Sequence, residues 1–368
     1  MKFRFKKEDR PLYIASVIVG LSVIVVLIFT AAMFVVYNSG HELTDTDRTA
    51  DINVMITRPD NWKKIQTGKI TLTPEDFAFI DGSTATIPIT AELARQFCDA
   101  SDGKIWEYVD HNTTHTAYEN LIFTNGDPDK ITYMENINKY RYDSRMTFDI
   151  KHLLFVTEPS EREIFDAGIE GVTFDVTPVA LDGFVFITHK DNPIDSLTVE
   201  QIQDIYSGKI TNWKEVGGND QKIIPYQRNI GSGSQTAMEQ LVMKDIPLVE
   251  PVGYFGETLT LGFMSELIEK IAEYENRENS LGYTYYYYIN NLYRNEDIKV
   301  LKIDGVSPDN ENLVSGAYPF STAYYMVMAE GRNDVQTAKM RELRDYLLTD
   351  EGQEIIKMAG YCPARSEG

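Results

Sequence analysis

The chain has 368 residues, 35 Lys and Arg against 56 Asp and Glu, a net charge of −21, and only two cysteines. A field this acidic argues against a nucleic-acid or anionic-membrane partner, and the length suffices for two lobes, each with its own core. The cysteine count excludes a disulfide framework and leaves one bridge open, Cys98 to Cys362.

The N-terminus carries Lys2, Arg4, Lys6, Lys7 and Arg10, and residues 12–36 that follow are uncharged and almost wholly apolar. Roughly 25 residues at about 1.5 Å each exceed a hydrocarbon core about 30 Å thick. The pattern predicts a transmembrane anchor over residues 11–37, with residues 1–10 cytoplasmic and the C-terminal body extracellular, by the positive-inside bias. A cleavable secretory signal is the alternative. Its apolar region is usually about 7 to 15 residues and ends in small residues, which only Asn38-Ser39-Gly40 would offer, and no cysteine stands just after the run to take a lipid. The first ten residues carry +3 of the total of −21, so the remainder carries −24 and any bound anion has to be held by local dipoles and specific side chains.

Residues 38–75 are polar and read as a linker. FAFIDGSTATIP then predicts a short buried strand entering a glycine turn, followed by a helix through Ala91, Leu93, Ala94 and Phe97, with Cys98 on its apolar stripe. His111 and His115 stand four apart without the other ligands of a metal template, and read as surface or capping residues. Asn112-Thr113-Thr114 matches the glycosylation triplet. Residues 123–150 are polar, aromatic and irregular, a surface excursion. HLLFVTEPS predicts an apolar strand that places Thr157, Glu158 and Ser160 at its end, the edge where open α/β sheets bind ligands.

VTFDVTPVALDGFVFITHKDNP reads as two further strands, and residues 196–213 as a helix opened by a Thr198-to-Gln201 capping box and ended by Gly208. YQRNIGSGSQTAM is the most informative segment. A helix start leaves backbone N–H groups unpartnered and carries partial positive charge, which suits an oxyanion. Ser232 with Gln235 fits a capping box, and Ala237, Met238, Leu241 and Val242 form one apolar stripe. Gly231 and Gly233 permit close backbone approach, and Arg228 offers a fork of donors matched to phosphate or carboxylate. An ordinary capped turn beside a surface arginine is the plain alternative. The segment lacks the lysine of a P-loop and the order of a hydrolase elbow. LGYTYYYYINNLY reads as a half-buried strand or helix with hydroxyls reaching water, YPFSTAYYMVM as a late strand, and residues 335–361 as one or two closing helices. The alternation of strands and helices argues an α/β class.

Taken together, DGSTATIP, THTAYENLI, LLFVTEPS, NPIDSLTVEQIQDIYSGKITNWKEVGG, QRNIGSGSQTAM and LGYTYYYY occur in the order seen in phosphate-binding proteins of the PstS type, the extracytoplasmic receptors of phosphate ABC transporters. The resemblance spans residues 77–365. It implies a two-lobed, periplasmic-binding-protein-like (type II) α/β fold with a ligand cleft between lobes: residues 76–182 and 318–368 in lobe 1, and 183–317 in lobe 2. It implies phosphate held by the Thr86 hydroxyl and the Ile87 N–H, by Thr114 or Thr116, by Glu158 where the family usually carries aspartate, and by Arg228, Ser232, Gly233 and Ser234. A carboxylate there accepts the proton that phosphate keeps and sulfate lacks, so Glu158 would discriminate by repulsion. Hinge strands are expected near residues 179–184 and 319–322.

The resulting expectation is a non-enzymatic, monomeric solute-binding protein without cofactor or metal, tethered to the membrane by its N-terminal helix. It captures inorganic phosphate for the permease subunits of an ABC transporter. The alternative is a surface sensor or protein-interaction module whose cleft is degenerate or takes another anion.

Overall fold

The computed structural model describes residues 61–124, 150–250, 260–261, 264–272 and 279–364. The expected anchor over residues 11–37, residues 38–60 of the linker and residues 125–149 of the excursion lie outside the described residues. Among the described residues no helix is long and apolar enough to cross a membrane.

In chain order, strand β1 (Ile80–Gly82) runs through a 3-10 turn (Thr84–Thr86) into helix α1 (Ile87–Cys98). Helix α2 (Thr114–Thr124) precedes β2 (Leu153–Val156), and α3 (Glu161–Ile169) follows it. β3 (Phe174–His189) leads through β4 (Ser196–Leu197) to α4 (Val199–Tyr206). β5 (Ile224–Pro225) and β6 (Gln227–Arg228) precede α5 (Gly233–Ala237), which continues as a π-helical turn, Met238–Met243. Then come β7 (Thr260–Leu261), α6 (Met264–Ala272), β8 (Ser280–Tyr285), β9 (Ile298–Val300) and β10 (Lys302–Ile303). The chain closes through α7 (Asn310–Val314), β11 (Ser321–Ala329), α8 (Val335–Leu347), α9 (Asp350–Met358) and β12 (Cys362–Pro363).

β3 organises the sheet, whose order is β1-β2-β11-β3-β8-β5. Its first half pairs antiparallel with β11 and β12, and its second half with β8 and β9. Where two strands were expected there is one of sixteen residues. The Asp182-Gly183 pair, which resembles a turn signal, marks instead the point where the strand changes partners: Asp182 pairs with Thr322, while Phe184 pairs with Tyr285. The register against β11 shifts between Tyr324 and Tyr325, opposite Pro178, which has no N–H to give the ladder. The second half is packed with apolar side chains; Phe184, Val185, Phe186 and Ile187 are fully buried, and each such side chain contributes roughly 1.5–3 kcal/mol.

The helix expected over 196–213 is shorter. The Thr198 hydroxyl accepts from Gln201 N and the box is complete, but the helix stops at Tyr206 because Gly208 takes a left-handed conformation (φ +79°). Trp213 instead opens a separate 3-10 turn, Trp213–Val216. The C-terminus returns to the first sheet, with Cys362 opposite Leu181 and the Tyr361 hydroxyl donating to Ala85 O in the first turn. Cys98 and Cys362 are both free thiols, so the bridge the sequence left open is not made.

Candidate anion-binding site

Three chain turns meet at the ends of β1, β2 and β6. The first is the 82–87 turn. A Cβ on Gly82 would lie 2.5 Å from Phe155 O and 2.6 Å from His111 Cε1, so only glycine lets β1 leave the sheet here. Thr86 is fully buried and its hydroxyl donates to Phe155 O (2.6 Å), while the Ile87 N–H donates to Thr84 O. Both expected ligand groups are thus occupied in shaping the turn.

Beneath it, the His111 ring lies 2.9 Å from Ser83 O and 2.8 Å from the Thr90 hydroxyl. A carbonyl only accepts, so Nδ1 carries the proton and Nε2 accepts from Thr90. Burial holds the ring's pKa below the ordinary histidine value, consistent with a neutral imidazole. Asp81, also fully buried, accepts from Gly82 N, Asn112 N, Asn112 Nδ2 and Asn120 Nδ2. It joins β1 to the start of α2, and it engages the very amide nitrogen of the glycosylation triplet.

At the start of α2 the two threonines between which the sequence left the choice open are placed differently. Thr114 is 7% exposed and its hydroxyl lies 3.0 Å from where a Cβ on Gly233 would stand; the Thr116 hydroxyl is held by Thr113 Oγ1 at 3.1 Å. At the end of β2, Thr157 faces the same point, its Oγ1 and Cγ2 lying 2.5 and 3.1 Å from that Cβ position. Thr157 is 6% exposed and its Oγ1 has no hydrogen-bond partner among the described residues, although the Tyr285 hydroxyl is close enough to be influenced by it. Glu158, next in sequence, is exposed.

The third turn carries Arg228, which is 7% exposed. Its Nε donates to Leu261 O (3.1 Å), and its Nη1 lies 3.5 Å from Ser234 Oγ, a long contact that orients the guanidinium toward the turn. The Ser232 hydroxyl caps α5 by accepting from Gln235 N (3.2 Å). The expected reciprocal half of the box is absent. The Gln235 carbonyl instead accepts from the Tyr283 hydroxyl and from Arg228 N (3.2 Å), and that same N–H also lies 2.9 Å from Tyr283 Oη. The Tyr285 hydroxyl donates to Gly233 O (3.1 Å).

At the rim, His115 stands between Glu119 (3.4 Å) and Glu163 (3.2 Å), one carboxylate on each ring nitrogen, beside Gly231. Hydrogen bonds to Glu119 and then Glu163 raise the imidazole to about 9, so it is a cation at neutral pH. Glu119 stands four positions after His115 on α2, whereas Glu163 comes from α3. No group of three metal-ligating side chains occurs among the described residues. The structure thus gathers Thr114, Arg228, Ser232, Gly233 and Ser234, adds Thr157, Tyr283 and Tyr285, and leaves Glu158 exposed.

Comparison with known proteins gives the family of the chain. A curated relative, the phosphate-binding protein PstS of Bacillus subtilis, is 28% identical over 186 residues, 50% of this chain and 56% of that protein. PstS of Borreliella burgdorferi is 26% identical over 186 residues, 50% of this chain and 64% of the relative. The chain therefore spans about three fifths of the length of these relatives. A phosphate ABC transporter substrate-binding protein from Clostridium perfringens, solved with bound phosphate, superposes with a TM-score of 0.55 at 25% identity, covering 78% of this chain and 98% of that one. An ABC-type phosphate transport receptor from Vibrio cholerae shares the fold, with a TM-score of 0.52 at 20% identity over 77% of this chain and 98% of its own. The family model of the PBP superfamily domain matches residues 149–351, more than half of the 368 residues, and the chain belongs to that superfamily.

Proposed function

We propose that this protein is a membrane-anchored extracellular receptor that captures inorganic phosphate in the cleft and presents it to the permease subunits of a phosphate ABC transporter. The observation that carries the reading is the meeting of α2, the end of β2 and the 228–234 turn on Gly233, with a buried guanidinium alongside. Every group so gathered can donate: the Arg228 fork, the hydroxyls of Thr114, Ser232 and Ser234, and the N–H groups at the start of α5. Thr86, Ile87 and Thr116 support the surrounding turns, and Glu158 is exposed. The phosphate-binding relatives and the neighbour solved with phosphate support the choice of anion.

In this reading no covalent bond is made or broken. The chain acts as a monomer whose lobes close by bending where β3 and β11 pass between them, and residues 11–37 hold it at the membrane. The test is calorimetric titration of the full chain in detergent with phosphate, after exhaustive removal of carried-over ligand. Wild type is expected to bind one phosphate. Arg228→Ala should weaken binding by about 10-fold to 100-fold, from the roughly 1.5–3 kcal/mol of a hydrogen bond to a charged group. Arg228→Lys, which keeps the charge without the fork, should fall between. A folded wild-type chain silent toward phosphate would sink the assignment.

A further inference from the structure

The side chain that faces the anion turn from the end of β2 is a hydroxyl. Thr157 and Thr114 supply all three of the atoms nearest the Cβ position of Gly233. Thr157 Oγ1 is buried and makes no hydrogen bond of ordinary geometry among the described residues, its polar contact being the Tyr285 hydroxyl; a buried polar atom is ordinarily paired with protein, water or ligand. The Tyr285 hydroxyl, its polar neighbour, is already donating to Gly233 O. Glu158 points elsewhere: it is exposed, and its charge acts on Tyr118 and Tyr325, not on Tyr285. Both residues follow Val156, the last residue of β2, where the chain bends, and of the two Thr157 is the buried one.

We infer that Thr157 is a ligand-binding residue and that the pocket is walled by donors alone, so that it accepts a tetrahedral oxyanion bearing no proton. This rests on the anion-binding reading above and deepens it. A carboxylate in that position could only accept, and would require a proton on the ligand. A hydroxyl donates to a fully ionised oxygen and accepts from a protonated one. Phosphate dianion and sulfate should therefore both bind, and phosphate affinity should not decline between about pH 6 and about pH 8 as the second proton leaves.

The experiment measures phosphate and sulfate binding separately on the stripped full chain, for wild type, Thr157→Val, Thr157→Ser, Thr157→Asp and Glu158→Gln, with melting temperature as the folding control. Sulfate is expected to bind wild type within about tenfold of phosphate. Thr157→Val should weaken both anions by about tenfold or more, the scale of one charge-assisted hydrogen bond, whereas Thr157→Ser should retain both. Thr157→Asp should lose sulfate and keep phosphate, which still carries a proton for the carboxylate to accept at about pH 8. Glu158→Gln should leave the phosphate-to-sulfate ratio unchanged. Sulfate exclusion by wild type that Glu158→Gln relieves would overturn the inference while leaving the phosphate reading intact, as would unchanged binding in folded Thr157→Val. Wild type binding sulfate but not phosphate would leave the donor wall standing and end the phosphate reading; binding of neither would end both.

Discussion

Gly233 is the point at which the start of α2 and the end of β2 meet the 228–234 turn, and an added methyl tests whether they close on it. In Gly233→Ala the new Cβ would lie 2.5 Å from Thr157 Oγ1, 3.0 Å from Thr114 Oγ1 and 3.1 Å from Thr157 Cγ2. The backbone itself offers no objection, since Gly233 is not among the positive-φ glycines, and alanine favours a helix by up to about 1 kcal/mol over glycine. Backbone and helix propensity therefore do not oppose the change, and any loss comes from the contacts with Thr157 and Thr114. The cost falls on the closed arrangement: overpacking of this kind is worth about 1–3 kcal/mol, which is about 5-fold to 150-fold in an equilibrium constant. Calorimetry should show phosphate affinity reduced by a factor in that range, mostly through faster release. Thr157→Ala removes two of the three contacts, so Gly233→Ala should cost at least about 1 kcal/mol less in that background, a coupling typical of touching residues. If Gly233→Ala binds as wild type, or its loss is the same with and without the Thr157 side chain, the two walls do not meet in the bound state.

The remaining predictions concern ionisation. Burial pushes the Asp182 carboxyl up to about 7 from 3.8, so the folded chain keeps a proton that the unfolded chain releases; stability should fall as pH rises through that interval and then level off. Asp182→Asn should flatten the slope, by up to about 4 kcal/mol between its ends, in urea unfolding measured across pH. His115 acts in a higher window: its raised pKa of about 9 gives a stabilising contribution complete below 6.5 and lost as pH climbs through about 9, and His115→Gln should abolish that loss in the same assay. Burial also pushes the Cys98 thiol up to about 11, and both cysteines are unpaired. Thiol titration without reductant should therefore find two groups per unfolded chain, with Cys98 slow in the folded chain at about pH 8; fewer than two on unfolding would reveal a bridge.

What was legible in the sequence was local. The Thr198 box, the helix stop at Gly208 and the Ser232 cap are settled by residues within one turn of each other, and the structure has them. What failed depended on partners far along the chain. Asp182-Gly183 resembles a turn, yet Asp182 accepts from Gly183 N and from Tyr287 N more than a hundred positions later, which holds β3 straight through the crossing. Thr114 and Thr116 are equivalent as sequence, but two positions on a helix point about 200° apart, so only the one on the side of Gly233 can reach it. The choice between Thr157 and Glu158 is made just past β2, where the chain bends after Val156, and nothing within HLLFVTEPS says which of the two turns toward Gly233.

The tyrosine run shows how such distant partners make a site out of an acidic body. As sequence, LGYTYYYY offers only hydroxyls with a strand period. In the structure Tyr283 and Tyr285 share one face of β8, and each hydroxyl grips the 228–235 segment: Tyr283 through Gln235 and the Arg228 N–H, and Tyr285 through Gly233 O. Burial raises the pKa of both phenols far above neutrality, so they stay protonated and donate. Gln235 is thereby drawn away from the capping role its spacing predicts, leaving Ser232 as the lone side-chain cap. The consequence is an arginine whose backbone and side chain are fixed before any ligand arrives. In a chain of net charge −21, long-range attraction cannot gather an anion, so affinity has to come from donors already held in place and little reorganised on binding.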